Sequence, residues 1–326
     1  MTDVRARLLK TREAFYKMSA LPVQRRNAAL EKFAGLIDRE RAMLLEANKK
    51  DLENGDRASP LYQRLKLDDE KLTVLVKGIR DIVAAEDPVG RVLSRTLLDD
   101  GLVLERKSVP IGVLGIIFES RPDVIPQILS LVIKSGNACV LKGGREAAHS
   151  NAAFMKLVGE LDSDLAPGWA QLLETRQDVA EMLAQSDLLD LVIPRGGNQL
   201  VQMVMSSTKV PVLGHADGVC HLYVHASADI SMAMKLAIDG KTQYPSACNS
   251  IETLLVDRAV APSFLKVFEA EAKRLGVRLK GCAETKRLTP SVEDASEADW
   301  RTEYGDLTLA VRVVGGVDEA IAHINR

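Results

Sequence analysis

From residue 109 onward, short apolar runs alternate with helical stretches, and no other feature of the chain restricts its fold so strongly. "IGVLGIIF", "ACVLK" and "LDLVIP" predict strands at about 111–118, 138–142 and 189–194, with further strands at about 210–213 and 220–225. Helical spacing is read at about 123–135, 147–161 and 196–207. Strands that are apolar throughout are buried on both faces, and helices between them are the crossovers that a parallel sheet requires. After residue 225 the pattern restarts, with helices near 229–240 and 261–275 and strands at 251–256, 277–280 and 308–314. The expected class is α/β, with one unit over residues 1–225 and a second over 226–326.

The first hundred residues read differently. Leu30, Phe33, Ile37, Leu44 and Leu45 recur at helical spacing in a run taken as helix over 2–54, closed by Asn54-Gly55 as a C-cap. A second amphipathic helix is read at 68–86. Asp100-Gly101 between two strand-like arms predicts a hairpin over about 92–107.

Composition removes several classes of function. A 326-residue chain with 46% hydrophobic and 27% charged residues is globular, and a net charge of -2 gives no attraction to nucleic acid or an anionic membrane. Cys139, Cys220, Cys248 and Cys282 form no CxxC pair, which argues against zinc and a disulfide scaffold. His221 and His225 on one strand face lie about 13 Å apart, too far for one tetrahedral ion, and His215 stands just upstream. The charged start lacks the apolar core of a signal peptide, and no apolar run approaches the ~20 residues of a membrane span, so the cytoplasm is expected.

Four stretches carry chemistry. In "IIFESRPDV", Arg121 follows the carboxyl end of a strand, where α/β sheets bind ligands. In "VLKGGREAA", Lys142 and Arg145 flank Gly143 and Gly144, a pairing of cations and close backbone that suits a phosphate. "IPRGGNQ" places Arg195, Gly196 and Gly197 before a helix N-terminus, which attracts anions. Neither GxxxxGK[ST] nor a strand-to-helix GxGxxG is present, so a dinucleotide would need another scheme. In "QYPSACNS", Cys248 sits in a polar stretch at an element boundary beside Asn249 and Ser250. On the residues alone two readings of Cys248 stand open: inert filler, or a nucleophile whose free pKa near ~8.5 leaves some thiolate at neutral pH.

Five ordered pieces, "VPIGVLGIIFESRPDV", "SGNACVLKGGREAAHSN", "LVIPRGGNQLV", "VPVLGHADGVCHLYVH" and "QYPSACNSIETLLV", carry a resemblance over almost the whole chain. The chain resembles the gamma-glutamyl phosphate reductase (glutamate-5-semialdehyde dehydrogenase) family of the aldehyde dehydrogenase superfamily. That resemblance implies a Rossmann-like NADPH-binding domain at 1–225 bearing the 92–107 oligomerisation hairpin, and a second α/β catalytic domain at 226–326. It also implies NADPH-dependent reduction of glutamyl phosphate to glutamate 5-semialdehyde, the second step of proline biosynthesis, through a thioester on Cys248.

The same resemblance assigns roles. Arg121 would serve the oxyanion or the departing phosphate; apart from the resemblance, Asn249 and Ser250 beside Cys248 offer side chains and backbone amides that could serve an oxyanion. Lys142, Gly143, Gly144, Arg145, Arg195, Gly196 and Gly197 would hold the cofactor, with Glu303 near the nicotinamide ribose. Arg145 stands where NAD-using relatives carry a Glu for the ribose hydroxyls, which predicts recognition of a 2′-phosphate. Gly214 and His215 stand where oxidising relatives carry a water-activating Glu, which disfavours a general semialdehyde dehydrogenase. Family members continue past "VDEAIAHINR", so the catalytic domain is expected to be incomplete at its C-terminus and the hairpin to lack its partner strand. The family implies a homo-oligomer; for this chain a silent binding or assembly module is the alternative from another class.

Overall fold

The computed structural model describes residues 3–56, 62–119, 121–214 and 218–326. Its contacts divide the chain into two compact units, residues 1–214 and 215–326. The boundary falls earlier than the expected 225, because the strand at 220–224 pairs within the second sheet. An apolar run shows that a strand forms and is silent about which sheet receives it.

In the first unit, helices α1 (Val4–Ser19), α2 (Val23–Arg39), α3 (Arg41–Asn54), α4 (Tyr62–Leu65) and α5 (Asp69–Ala84) precede any strand. The single helix expected over 2–54 is thus three. Pro22 is the N-cap of α2 in an extended conformation, and a proline there cannot continue the α1 ladder. Gly55 closes α3 with φ -79°, so the left-handed cap expected of Asn54-Gly55 is not used. Strands β1 (Val92–Asp99) and β2 (Leu102–Lys107) form the predicted hairpin around Gly101, whose φ of 77° suits glycine. Every residue of β1 is exposed, Leu93, Leu97 and Leu98 among them.

The sheet of this unit is built from β3 (Val113–Phe118), β4 (Ala138–Lys142), β5 (Ala170–Leu173) and β6 (Leu191–Arg195), linked by α6 (Val124–Lys134), α7 (Ala148–Gly159) and α8 (Arg176–Leu183) and followed by α9 (Asn198–Ser207). All neighbours are parallel, in the order β5-β4-β3-β6. The chain therefore moves outward from β3 to β5 and returns to lay β6 on the other side of β3. That reversal opens a crevice at the carboxyl ends of β3 and β6, the ligand position in such sheets. Register sets Ile117 opposite Lys142 and Phe118 opposite Arg195, so the strand ends lie level. The strand expected at 210–213 reduces to one bridge, Val192 to Val212.

The second unit runs β7 (Cys220–Val224), α10 (Ile230–Thr242), β8 (Ile251–Asp257), α11 (Ala261–Arg274), β9 (Arg278–Gly281), α12 (Ala283–Leu288), β10 (Glu293–Asp294), β11 (Thr308–Val314) and α13 (Val317–Ile324). Its parallel sheet has the order β10-β9-β11-β8-β7. Strand β8 is buried along its whole length and packs with Phe264, Phe268 and Leu309 in the unit's core. Burial of each such apolar side chain contributes roughly 1.5–3 kcal/mol. Because β7, β8 and β11 are parallel, the segments entering them gather at one edge of the sheet.

Candidate active site

The first unit contains a cavity of about 940 Å³ at the carboxyl ends of its strands. Phe118 and Glu119 after β3, Lys142 and Gly144 after β4, and Leu200 on α9 line it. Arg145 and Arg176 line it as well, so three cations share one wall. Burial holds the Lys142 pKa below the ordinary lysine value, the positive charges of Arg145 and Arg176 press it the same way, and Glu146 opposes them. The carboxylates of Asp56, Glu119 and Glu146 line the same cavity, so these cations stand in a mixed-charge wall.

The glycines divide. Gly144 lines the cavity, whereas a Cβ on Gly143 would lie 2.4 Å from Asn151 and 3.0 Å from Phe118, so Gly143 is required by packing inside the unit. The second predicted anion site differs from expectation. The Gly197 N–H at the start of α9 donates to the Glu119 carboxylate at 3.3 Å, so that helix end already faces an anion. Arg195 is exposed at the end of β6, and Gln199, Leu200 and Met203 of α9 form the cavity wall beyond it. Arg121 is half-buried one residue before Pro122, at the carboxyl end of β3.

In the second unit, Cys248 is the one exposed cysteine of the four. It lies in the irregular segment between α10 and β8, where Ala247 N–H donates to Tyr244 O at 3.0 Å and Ser250 N–H to Ala247 O at 2.9 Å. Asn249 is exposed beside it. Two further segments gather at this loop, and the elements on either side of it are tied together. Cys220, opening β7, donates its thiol to the Cys248 carbonyl at 3.3 Å. Glu303 accepts from the Gly218 N–H at 2.9 Å, and a Cβ on Gly218 would stand 2.8 Å from the Cys248 carbonyl oxygen. Beneath the loop, Lys241 from the end of α10 bridges to Glu252 of β8 at 2.7 Å and donates to Ile251 O at 3.0 Å.

Glu252 is fully buried. Burial raises its pKa, while Lys241 and the Gly305 N–H, which donates at 3.2 Å, stabilise the anion. Tyr304 donates to Asp299 at 2.8 Å and the Thr302 hydroxyl to Ala298 O at 2.8 Å, so the residues on both sides of Glu303 are anchored. Asp299 also receives Lys280 at 2.6 Å and Ser296, and these hydrogen bonds hold its carboxyl well below the usual carboxylate range despite burial. Ser120 and His215 lie outside the described residues. Among the described residues no group of three or more His, Cys, Asp or Glu is arranged to hold a metal ion, and no helix is long and apolar enough to cross a membrane.

Residues 1–302 match the aldehyde dehydrogenase family. The gamma-glutamyl phosphate reductase of Pelotomaculum thermopropionicum is 46% identical over 321 residues, covering 97% of this chain and 74% of that protein. The chain belongs to the aldehyde dehydrogenase family, in its gamma-glutamyl phosphate reductase branch. Among solved structures, the gamma-glutamyl phosphate reductase of Thermotoga maritima superposes with a TM-score of 0.91 at 38% identity, covering 99% of this chain and 80% of that one. The Saccharomyces cerevisiae enzyme of the same name gives a TM-score of 0.63 at 35% identity, covering 100% of this chain and 84% of that one. Membership brings a nicotinamide cofactor and a small-molecule substrate, and the cavity fits the former: Lys142, Arg145 and Arg176 supply cations, while Ile117, Val179 and Leu183 supply apolar wall.

Sequence reasoning missed Arg176, Lys241 and Cys220 as parts of these sites. Arg176 opens α8, a helix announced by the capping box of Thr175 and Asp178. Lys241 and Glu252 bore a plainer signal, a carboxylate inside the apolar run "IETLLV".

Proposed function

We propose that this chain reduces L-glutamyl 5-phosphate to L-glutamate 5-semialdehyde and phosphate with NADPH, through a thioester on Cys248. The observation that carries the reading is the setting of Cys248: an exposed thiol in an irregular loop held from beneath by a buried ion pair. The Cys248 thiolate attacks the acyl carbon, the C–O bond to phosphate breaks, and the acyl group is left as a thioester. The nicotinamide, when bound, supplies the hydride that a thioester accepts more readily than a carboxylate does. Cys248 then departs as thiolate, gains no net oxidation, and the semialdehyde is released.

Arg121 meets the charge that develops on the acyl oxygen or on the departing phosphate, and Asn249 is the second candidate for the oxyanion. Lys142, Arg145 and Arg176 hold the adenosine end of the cofactor. A guanidinium at Arg145 forks onto a 2′-phosphate and offers ribose hydroxyls no acceptor, so NADPH is favoured over NADH. Glu303 orients the nicotinamide ribose from its anchored loop. Arg195, Gly196 and Gly197 would take the pyrophosphate only by displacing the Glu119 carboxylate from the Gly197 N–H.

The test is run in reverse. Glutamate semialdehyde and NADP⁺ should yield NADPH only when inorganic phosphate is present, because phosphate is the acceptor of the acyl group. NADP⁺ reduction at the same rate without phosphate would mean that water takes the acyl group, and would replace this reading with a general semialdehyde dehydrogenase.

A further inference from the structure

The loop that carries Cys248 touches a second thiol. Cys220 Sγ lies 3.3 Å from the main-chain oxygen of Cys248, against the backbone of the same residue whose side chain is the exposed thiol. The contact follows from topology. β7 and β8 are parallel neighbours with Cys220 opposite Ile251, so the residue opening β7 stands beside the segment entering β8 three residues earlier. The register shift between Cys220 and His221 loosens the ladder at that point. The two other cysteines are placed elsewhere: Cys139 is fully buried inside β4 of the first unit, and Cys282 follows β9, two strands from β8.

We infer that Cys220 is a resolving cysteine, which captures oxidised Cys248 as a reversible Cys220–Cys248 disulfide and so shuts off the nucleophile under peroxide. In the first step the Cys248 thiolate attacks a peroxide oxygen, the O–O bond breaks, and Cys248 becomes the sulfenic acid with release of hydroxide, which is protonated to water. In the second, the Cys220 sulfur displaces hydroxide from that sulfenic acid, losing its own proton, so an S–S bond forms and a second water leaves. Two thiols are oxidised by two electrons and one hydrogen peroxide is reduced to two waters. A dithiol reductant reverses the bond by thiol–disulfide exchange.

Local structure favours both steps. A disulfide needs its Cα atoms about 4.4–6.8 Å apart with facing side chains; the Cys220 sulfur already reaches the Cys248 backbone at 3.3 Å, so closure requires the exposed Cys248 side chain to turn toward β7. The Cys248 segment is made of turns and bends, so its closure breaks no helix or strand. Burial first and the neighbouring Cys248 thiol second push the Cys220 pKa up, so the exposed Cys248 is the thiol that peroxide meets first and Cys220 reacts only afterwards, with its neighbour.

The inference rests on Cys248 being the reactive thiol of the proposed function, and the experiment separates the two. The full chain is first labelled with iodoacetamide, which should alkylate Cys248 before the other three cysteines. Unlabelled protein is then treated with a slight excess of hydrogen peroxide, and non-reduced peptides are mapped by mass spectrometry alongside a free-thiol count and the reductase rate. The expected result is loss of two thiols per chain, a linked pair of peptides holding Cys220 and Cys248, at least a tenfold loss of activity, and its recovery with dithiothreitol. Cys220→Ser should instead carry Cys248 to sulfinic acid, which dithiothreitol does not reverse.

Sulfinic Cys248 with free Cys220 in the wild type, or a link to Cys282, Cys139 or a second chain, would overturn the inference. So would the absence of any thiol loss. The wild-type map decides the matter even if Cys220→Ser does not fold. Cys248 that resists iodoacetamide would count against the proposed function itself.

Discussion

The Lys241 ammonium and the Glu252 carboxylate lie 2.7 Å apart with 1% and 0% of their side chains exposed, one at the end of the helix before Cys248 and the other in the strand after it. With the Lys241 bond to Ile251 O and the Gly305 bond to Glu252, the pair ties the ends of the cysteine loop to the segment that bears Glu303. A buried ion pair is expensive to form and more expensive to break, because the survivor is left charged without a partner. Lys241→Met should therefore cost about 3–5 kcal/mol of stability, and Lys241→Met with Glu252→Leu distinctly less. Urea unfolding of the two variants checks the difference; equal losses would show that the pair contributes packing alone.

Cofactor preference should follow the cations of the cavity. Arg145→Glu replaces a phosphate fork with a hydroxyl acceptor, and kcat/KM for NADPH should fall by about tenfold or more while that for NADH rises. Arg176→Ala should raise the KM for NADPH and leave the KM for NADH nearly unchanged. Steady-state kinetics with both cofactors measures each; a parallel loss for the two would mean that Arg145 and Arg176 do not read the 2′-phosphate.

Gly218 has no room for a methyl group, since its Cβ would stand 2.8 Å from the Cys248 carbonyl oxygen and 3.5 Å from the Glu303 carboxylate. Main-chain oxygen cannot swing aside as a side chain does, so Gly218→Ala should displace the nucleophile's loop. A misplacement of about 1 Å costs on the order of 100-fold in rate. The expected outcome is a lowered kcat with melting temperature close to wild type, read from kinetics and calorimetry together.

The second unit should lose stability in mild acid. His323 packs edge-on against His221 at 5.3 Å and Trp300 at 5.6 Å, and burial, then Arg312, His221 and Arg326, push its pKa down to about 4 against the opposing charge of Glu297. An unfolded histidine takes a proton near pH ~6.5. Between these values the unfolded chain binds more protons than the folded one, so stability falls as pH is lowered from 6.5 to 4 and this group adds no further loss below that. His323→Phe should flatten that part of the profile in denaturant melts, and an NMR titration of His323 should show its midpoint near 4.

Much of this architecture was legible before any coordinates. Runs such as "IGVLGIIF", apolar on both faces, and "IETLLV", apolar but for Glu252 and Thr253, suit a central parallel strand, so β3 and β8 announced themselves. β5 was invisible because its four residues "AQLL" form an edge strand that is half-buried for most of its length. The ligand end of the first sheet followed from a general rule about carboxyl ends. In the second sheet the same rule misleads, because Cys248, Cys220 and Glu303 gather at the amino ends of β8, β7 and β11. Cys220 and Cys248 are 28 residues apart, and only the pairing of β7 with β8 makes them neighbours. Pairings of that kind are settled by sheet order, which no local pattern encodes.

The central claim is that chemistry passes through the sulfur of Cys248. Phosphate-dependent NADP⁺ reduction with glutamate semialdehyde, measured side by side for the wild type and Cys248→Ser, tests it most directly. The account predicts NADPH formation by the wild type and none above background by the serine variant, with both proteins folded by circular dichroism. A serine variant as active as the wild type would contradict it.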